Sequence, residues 1–222
     1  MKKLLFTFFL LLITSQCFGA SQGPLDGGTF TDDGSGDNPW ANPGYAVTTN
    51  GQAATTLLDF VNGSGRSGNL QATNFGFTIP TGSTILGIVT ASTNKSSVST
   101  PVSGASDLNV QLMRGGAGVG NNLATATKYL TTYSSSSYGD AANLWGTTWT
   151  PAQINNSSFG VEMSSQVIGV NLVNQTIYYD LVGDITVYYT PPASGGAPKQ
   201  MSLAPKLIRF GKEDRNPSIR GL

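Results

Sequence analysis

The sequence predicts an all-β fold: a single β-sandwich or jelly-roll domain of about eight to ten antiparallel strands with one short helical turn. Three observations predict it. The 222 residues include 28 Gly, 23 Ser, 25 Thr and 16 Asn. Such a composition is poor for helix interiors and good for turns, while Thr with Val, Ile and Tyr suits strands. Only 11% of the residues are charged, less than half the ~25% of an ordinary soluble domain, so uncharged hydroxyls and amides must meet the water. Finally, apolar residues recur at every second position in short segments punctuated by Gly, Pro and Asn.

Lys2 and Lys3 precede a nearly unbroken apolar stretch at 4–13, and small residues follow at Gly19 and Ala20. A positive start, an apolar middle and a small-residue cleavage point read as a secretory signal peptide over 1–20. The stretch is too short for a permanent anchor, so no membrane span is expected after its removal. Cys17 is the sole cysteine, and Thr14-Ser15-Gln16 before it fits a lipoprotein cleavage site poorly. The mature chain should then have no disulfide and no thiolate metal site, and a secreted or cell-surface location is expected.

Residues 21–39 are rich in Gly and Asp and read as an irregular lead-in. The sandwich domain is placed at 40–192, with strands expected at 54–61, 70–79, 84–92, 107–114, 159–163 and 177–190. In 107–112 the alternation sets Leu108, Val110 and Leu112 on one buried face and turns Asn109 and Gln111 the other way. Pro80-Thr81-Gly82-Ser83 reads as a turn. Thr150-Pro151-Ala152-Gln153 has the N-cap hydroxyl, early proline and returning Gln of a capping box, and Asn155 and Asn156 limit it to about one turn. Pro191 and Pro192 end the last strand, since neither can donate to a ladder.

The zero net charge hides two halves. Residues 21–192 hold Arg66, Lys95, Arg114 and Lys128 against ten acidic residues, a balance of −6. Residues 193–222 hold six basic residues against Glu213 and Asp214, a balance of +4. That end reads as a disordered basic tail. Within it Leu207, Ile208 and Phe210 form the segment that could dock on a neighbouring sheet edge in an assembly.

Several function classes drop out. The chain has no histidine, which excludes histidine bases, Ser-His triads and histidine metal sites. An acidic body without a basic stripe does not bind nucleic acid. Glycoside hydrolysis needs two carboxyl groups about 5 to 9.5 Å apart, whereas Asp180 and Asp184, four strand steps apart, would be separated by about 13 Å. Asp107, Asp140 and Glu162 read as single, solvated strand-end acids. Asp33-x-Ser35-x-Asp37 lacks the glycine and terminal glutamate of a calcium loop. The glycine-rich run 114–120 has no following Lys-Ser/Thr and reads as a hairpin rather than a phosphate cradle. No cofactor, metal or catalytic residue is expected.

Tyr129, Tyr133, Tyr138, Trp145 and Trp149 fall close together, and two readings stay open for them. Exposed Tyr138, Trp145 and Trp149 rings could stack on sugar faces as in a carbohydrate-binding module. The preferred reading makes the tryptophans core anchors, because in a chain with few large apolar residues these rings bury the most area.

Trp40-Ala41-Asn42-Pro43, LQATNFGFTIP at 70–80, LWGTTWTPAQIN at 144–155, Phe159-Gly160-Val161 and DITVYYT at 184–190 follow one another across nearly all of 40–190. Together they resemble a module of uncharacterised β-rich proteins of tailed bacteriophages and of bacterial secreted proteins. The resemblance implies a non-enzymatic surface or virion-appendage role and assigns no catalytic residues. The expectation is a secreted structural or adhesive protein that meets a protein partner, including copies of itself as a homo-oligomer, with glycan binding through exposed rings as the alternative.

Overall fold

A computed structural model of the chain describes residues 19–60, 63–170 and 172–193. Residues 1–18 of the expected signal peptide, and the tail with Leu207, Ile208 and Phe210, lie outside the described residues. Ten strands form two antiparallel sheets packed face to face, the β-sandwich that the sequence predicts. No helix among the described residues is long and apolar enough to cross a membrane.

The first sheet is built on β10 (Gln175–Thr190), which pairs along one side with β5 (Thr84–Ser96). Its other side is shared end to end by β1 (Ala20–Leu25) and β3 (Ala54–Leu58). Beyond β5 lies β8 (Ser134–Asp140), the far edge. The second sheet runs β2 (Thr29–Asp32), β4 (Leu70–Thr73), β9 (Gly160–Gly169), β6 (Ser103–Arg114) and β7 (Ala117–Val119).

Alternation puts Leu70, Ala72, Val110, Leu112, Val161 and Met163 of the second sheet against Ile88, Ile177, Val182, Ile185 and Val187 of the first, all buried. Apolar area of this kind stabilises by about 25 cal/mol per Å² removed from water. Phe75, Phe77, Trp149 and Phe159 close one part of the core with edge-on ring contacts such as the 5.4 Å approach of Trp149 to Phe159. Gly183, at φ +80°, sits where a Cβ would meet the Val161 side chain at 2.6 Å, so β10 bulges there and lets the sheets close.

Local signals place the connections. In the 150–153 segment the Gln153 amide donates to Thr150 Oγ1 at 3.3 Å and the Thr150 amide to Gln153 Oε1 at 3.0 Å, capping the single turn α1 (Pro151–Ile154). Gly115 and Gly116 both take positive φ between β6 and β7, the backbone of a type I′ hairpin. Ser83 donates to the Pro80 carbonyl at 3.1 Å, closing the expected turn.

Three expectations are corrected. Residues 21–39 are not wholly irregular, since they supply most of β1 and all of β2, one strand to each sheet. Pro24 is tolerated in β1 because that strand lies at a sheet edge and its register shifts between Gln22 and Leu25. Leu108 does not share the core face of Val110 and Leu112. A bulge between Asp107 and Asn109 leaves it unpaired, and Asp107 takes the inward place. Finally, Asp107 and Glu162 are not solvated strand-end acids, for they are 3% and 7% exposed.

Candidate functional site

The bulge in β6 defines two polar regions on opposite faces of one sheet. Inward, Asp107 is held by four donors: Tyr129 Oη at 2.7 Å, Tyr138 Oη at 3.0 Å, and the Thr125 amide and hydroxyl at 3.1 Å each. Tyr129 and Tyr179 hydroxyls lie 2.8 Å apart and join Ser165 to the set. Burial first, and neighbouring acidic groups after it, push the Tyr129, Tyr138 and Tyr179 hydroxyls up, so they remain donors. The result is a satisfied buried network that ties the two sheets together.

Outward, β4, β9 and β6 set Gln71, Glu162 and Gln111 side by side in register. Gln71 Nε2 donates to Glu162 Oε2 at 3.2 Å, and Asn109 Nδ2 reaches Glu162 Oε1 at 3.0 Å and Asn69 Oδ1 at 3.2 Å. Gly118 of β7 makes room for the carboxylate, because a Cβ there would lie 2.3 Å from Glu162 Oε1. At its end Asn69 and Asn109 line one side of an open cleft of about 370 Å³, with Asp37, Arg66, Leu108 and Ser164 among its other walls.

Two loops wall the cleft, and the sequence fixes how they meet. Asp33 Oδ1 accepts from the Ser35 amide at 2.9 Å, the Ser35 hydroxyl at 2.7 Å and the Asn69 amide at 2.9 Å, while Oδ2 takes Asn69 Nδ2 at 2.8 Å. Burial opposes ionisation of Asp33, but these bonds outweigh it and hold its carboxyl below the usual range. Asp37 is likewise lowered, by the Ser64 hydrogen bonds. Gly36 lies flat on the second loop, where a Cβ would be 2.2 Å from the Gly68 nitrogen. Asn38 Nδ2 bonds the Arg66 carbonyl at 2.8 Å, and Trp40 Nε1 bonds the Gly68 carbonyl at 2.8 Å with its ring set edge-on to Tyr179.

Asp33, Ser35 and Asp37 therefore build a loop wall instead of a calcium site. The Asp33 oxygens are taken up by the Ser35 amide and hydroxyl and by the backbone and side-chain amides of Asn69. Asp180 does not face Asp184 as a catalytic partner either. Its carboxylate accepts from the Asn50 and Gly51 amides at 3.1 and 3.0 Å.

The exposed-ring platform is corrected. Tyr138, Trp145 and Trp149 are 4%, 0% and 6% exposed. Their polar atoms have internal partners: Tyr138 at Asp107, Trp145 Nε1 at the Ile88 carbonyl, 2.9 Å, and Trp149 Nε1 at the Leu144 carbonyl, 3.1 Å. The Arg114 guanidinium stands 5.4 Å over the Trp149 ring. Of the five aromatics grouped in sequence, Tyr133 alone is half-exposed, and Lys95 stands 4.4 Å over its ring. Of the cleft residues, Asp37 stands out in the sequence only as part of Asp33-x-Ser35-x-Asp37 and Asn109 only as an outward-facing strand residue, and no spacing joins them to Arg66 or Asn69.

No protein-family model matches the chain, and no curated protein matches it. Among solved structures it is similar to one described as "CBM4 structure and function", at 14% identity and a TM-score of 0.34 over 74% of this chain and 91% of the other. It is also similar to the CBM22-1 xylan-binding domain of Paenibacillus barcinonensis Xyn10C, at 11% identity and a TM-score of 0.32 over 78% and 95%. Likenesses this distant do not bear on function, and the reading below rests on the cleft.

Proposed function

We propose that this chain is a non-enzymatic binding module of an extracellular protein, and that it holds a glycan by hydrogen bonds along the outer face of the second sheet. The row Gln71, Glu162, Asn109 and Asn69, opening into a cleft with Arg66, Asp37 and Ser164, carries the reading. Sugar hydroxyls donate and accept at once, and a wall of amide, carboxylate, hydroxyl and guanidinium groups answers both roles. The cleft carboxylate Asp37 is held ionised by the Ser64 hydrogen bonds, so it serves as an acceptor and is not poised as a proton donor. A glycan array probed with the full chain tests the proposal. Specific retention is expected, with at least a tenfold loss in Arg66→Ala and an unchanged Tm, since Arg66 is exposed. Absence of retention on any glycan overturns it.

A second reading is favoured by β8. This edge strand pairs only with β5 among the described strands, and Ser134–Asp140 carries no charge before Asp140 to repel a neighbouring strand. Assembly into an extracellular or phage-like surface structure would use that edge. Sedimentation velocity separates the readings: concentration-dependent growth that Ser137→Lys abolishes supports assembly, and a monomer at all concentrations removes it.

A further inference from the structure

We propose that the crevice between the two sheets beside β8 is a second ligand site, which takes a single neutral polyhydroxyl unit such as the terminal ring of a glycan. The class of ligand rests on the glycan reading above; the place does not.

The crevice encloses about 220 Å³ between the inner face of β5 and β8 and the segment that follows β7, with Asn94, Asp107, Thr127, Lys128, Tyr129 and Ser136 on its walls. Pockets for drug-sized molecules start at about 300 Å³, so the space suits one small ring. Asn94 belongs to the inward series of β5 with Ile88 and Thr90. It is 1% exposed, yet its Nδ2 has no hydrogen-bond partner. A buried amide without an acceptor costs about 1–3 kcal/mol, and a ligand oxygen placed there would recover that cost.

The other walls restrict what can enter. Asp107 offers no vacant role to a metal or a cationic group, since its four donors already occupy both oxygens. Its charge at the base also opposes a ligand carboxylate. Lys128 is turned aside: its ammonium donates to the Thr100 carbonyl, and its stem lies where a Cβ on Gly104 would be, 2.5 Å from Lys128 Cδ. Between these fixed groups Ser134 and Ser136 of β8, and Thr127, present hydroxyls that donate or accept as the ligand requires. Donor below, hydroxyls at the side and a tyrosine ring form the complement of a neutral sugar ring.

The test is a titration of the ¹⁵N-labelled full chain with methyl glycosides of glucose, galactose, mannose, xylose and N-acetylglucosamine, followed through the side-chain amide signals of Asn94, Asn69 and Asn109. Saturable movement of the Asn94 signal is expected, with a Kd on the order of 1 mM for one ring. In Asn94→Leu the binding should weaken at least tenfold while Tm stays level or rises, because the change removes an unpaired donor. Ser136→Val, farther along the wall, should weaken the same titration without moving the Asn69 and Asn109 signals. Movement confined to Asn69 and Asn109 overturns the crevice proposal and leaves the outer cleft standing. No movement at any of the three assigns the crevice to water only and overturns it as well.

Discussion

Asp107 and Glu162 lie on neighbouring strands of one sheet, both nearly buried, and they face opposite ways. The inner carboxylate meets four donors, three of them hydroxyls, from two other segments: the stretch after β7 and strand β8. The outer one meets two amide side chains from adjacent strands, each able to swing to water. One acid is thus a tie between layers and the other an organiser of a surface. The difference shows that burial of a carboxylate does not by itself mark a site; what matters is whether its partners are exhausted or left free to turn outward.

The contrast can be broken most severely from inside. Asp107→Ala leaves the Tyr129, Tyr138 and Thr125 hydroxyls without their acceptor and should cost about 3–5 kcal/mol, lowering Tm by about 10 °C in a calorimetric scan. A loss below about 1 kcal/mol would erase the distinction between the two acids. Glu162→Ala should cost only about 1 kcal/mol, because Gln71 and Asn109 can rehydrate, but it should weaken glycan retention at least tenfold by freeing Asn109. Equal losses of stability in the two variants would refute the comparison.

Two other carboxyls, the exposed Asp33 and the half-buried Asp184, sharpen it through pH. Asp33 is lowered from 3.8, so its contribution to stability is complete above that value and disappears as pH falls through the folded-state value. Asp33→Asn should therefore be less stable than the parent at neutral pH, by under about 1 kcal/mol after solvent screening. Below pH 3.8 the two denaturation curves should converge. Asp184 is raised from 3.8 by burial first and by the Asp26 charge second, so its ionisation works against the fold as pH rises. Asp184→Asn should be slightly more stable at neutral pH, by about 0.5 kcal/mol, with the gain fading in acid. Opposite signs for the two variants in one urea series are the expected signature.

Much of the fold was legible because period two is a strong signal where Val, Ile, Leu and Tyr carry it, as in 175–190. It failed where the chain pairs through the backbone with little apolar contribution. β8 is a serine run, and β1 contains Gly23 and Pro24, so neither shows the composition of a strand, although β8 adds an unbroken ladder and β1 an interrupted one to longer neighbours. The β6 bulge was invisible because Asp-Leu-Asn-Val alternates perfectly on paper, and only the pairing with Ser164 and Ser165 shows that Leu108 is skipped. The cleft was least legible. Asp37, Arg66, Asn109 and Ser164 come from four separated segments that the sandwich topology alone brings together, and polar residues of these kinds occur throughout the chain. Of the aromatic cluster, the core reading of the tryptophans agrees with the burial, since each indole finds a carbonyl inside the protein.

The position of β10 sets the order of events on a growing polypeptide. β1, β3 and β5 all find their partner in a strand that ends at Thr190, so a ribosome must release nearly the whole domain before that layer can close. Until then β1 and β3 remain without a template, and β5 has only β8 beside it. A chain truncated ahead of Gln175 should accumulate as protease-sensitive material, whatever glycan is supplied.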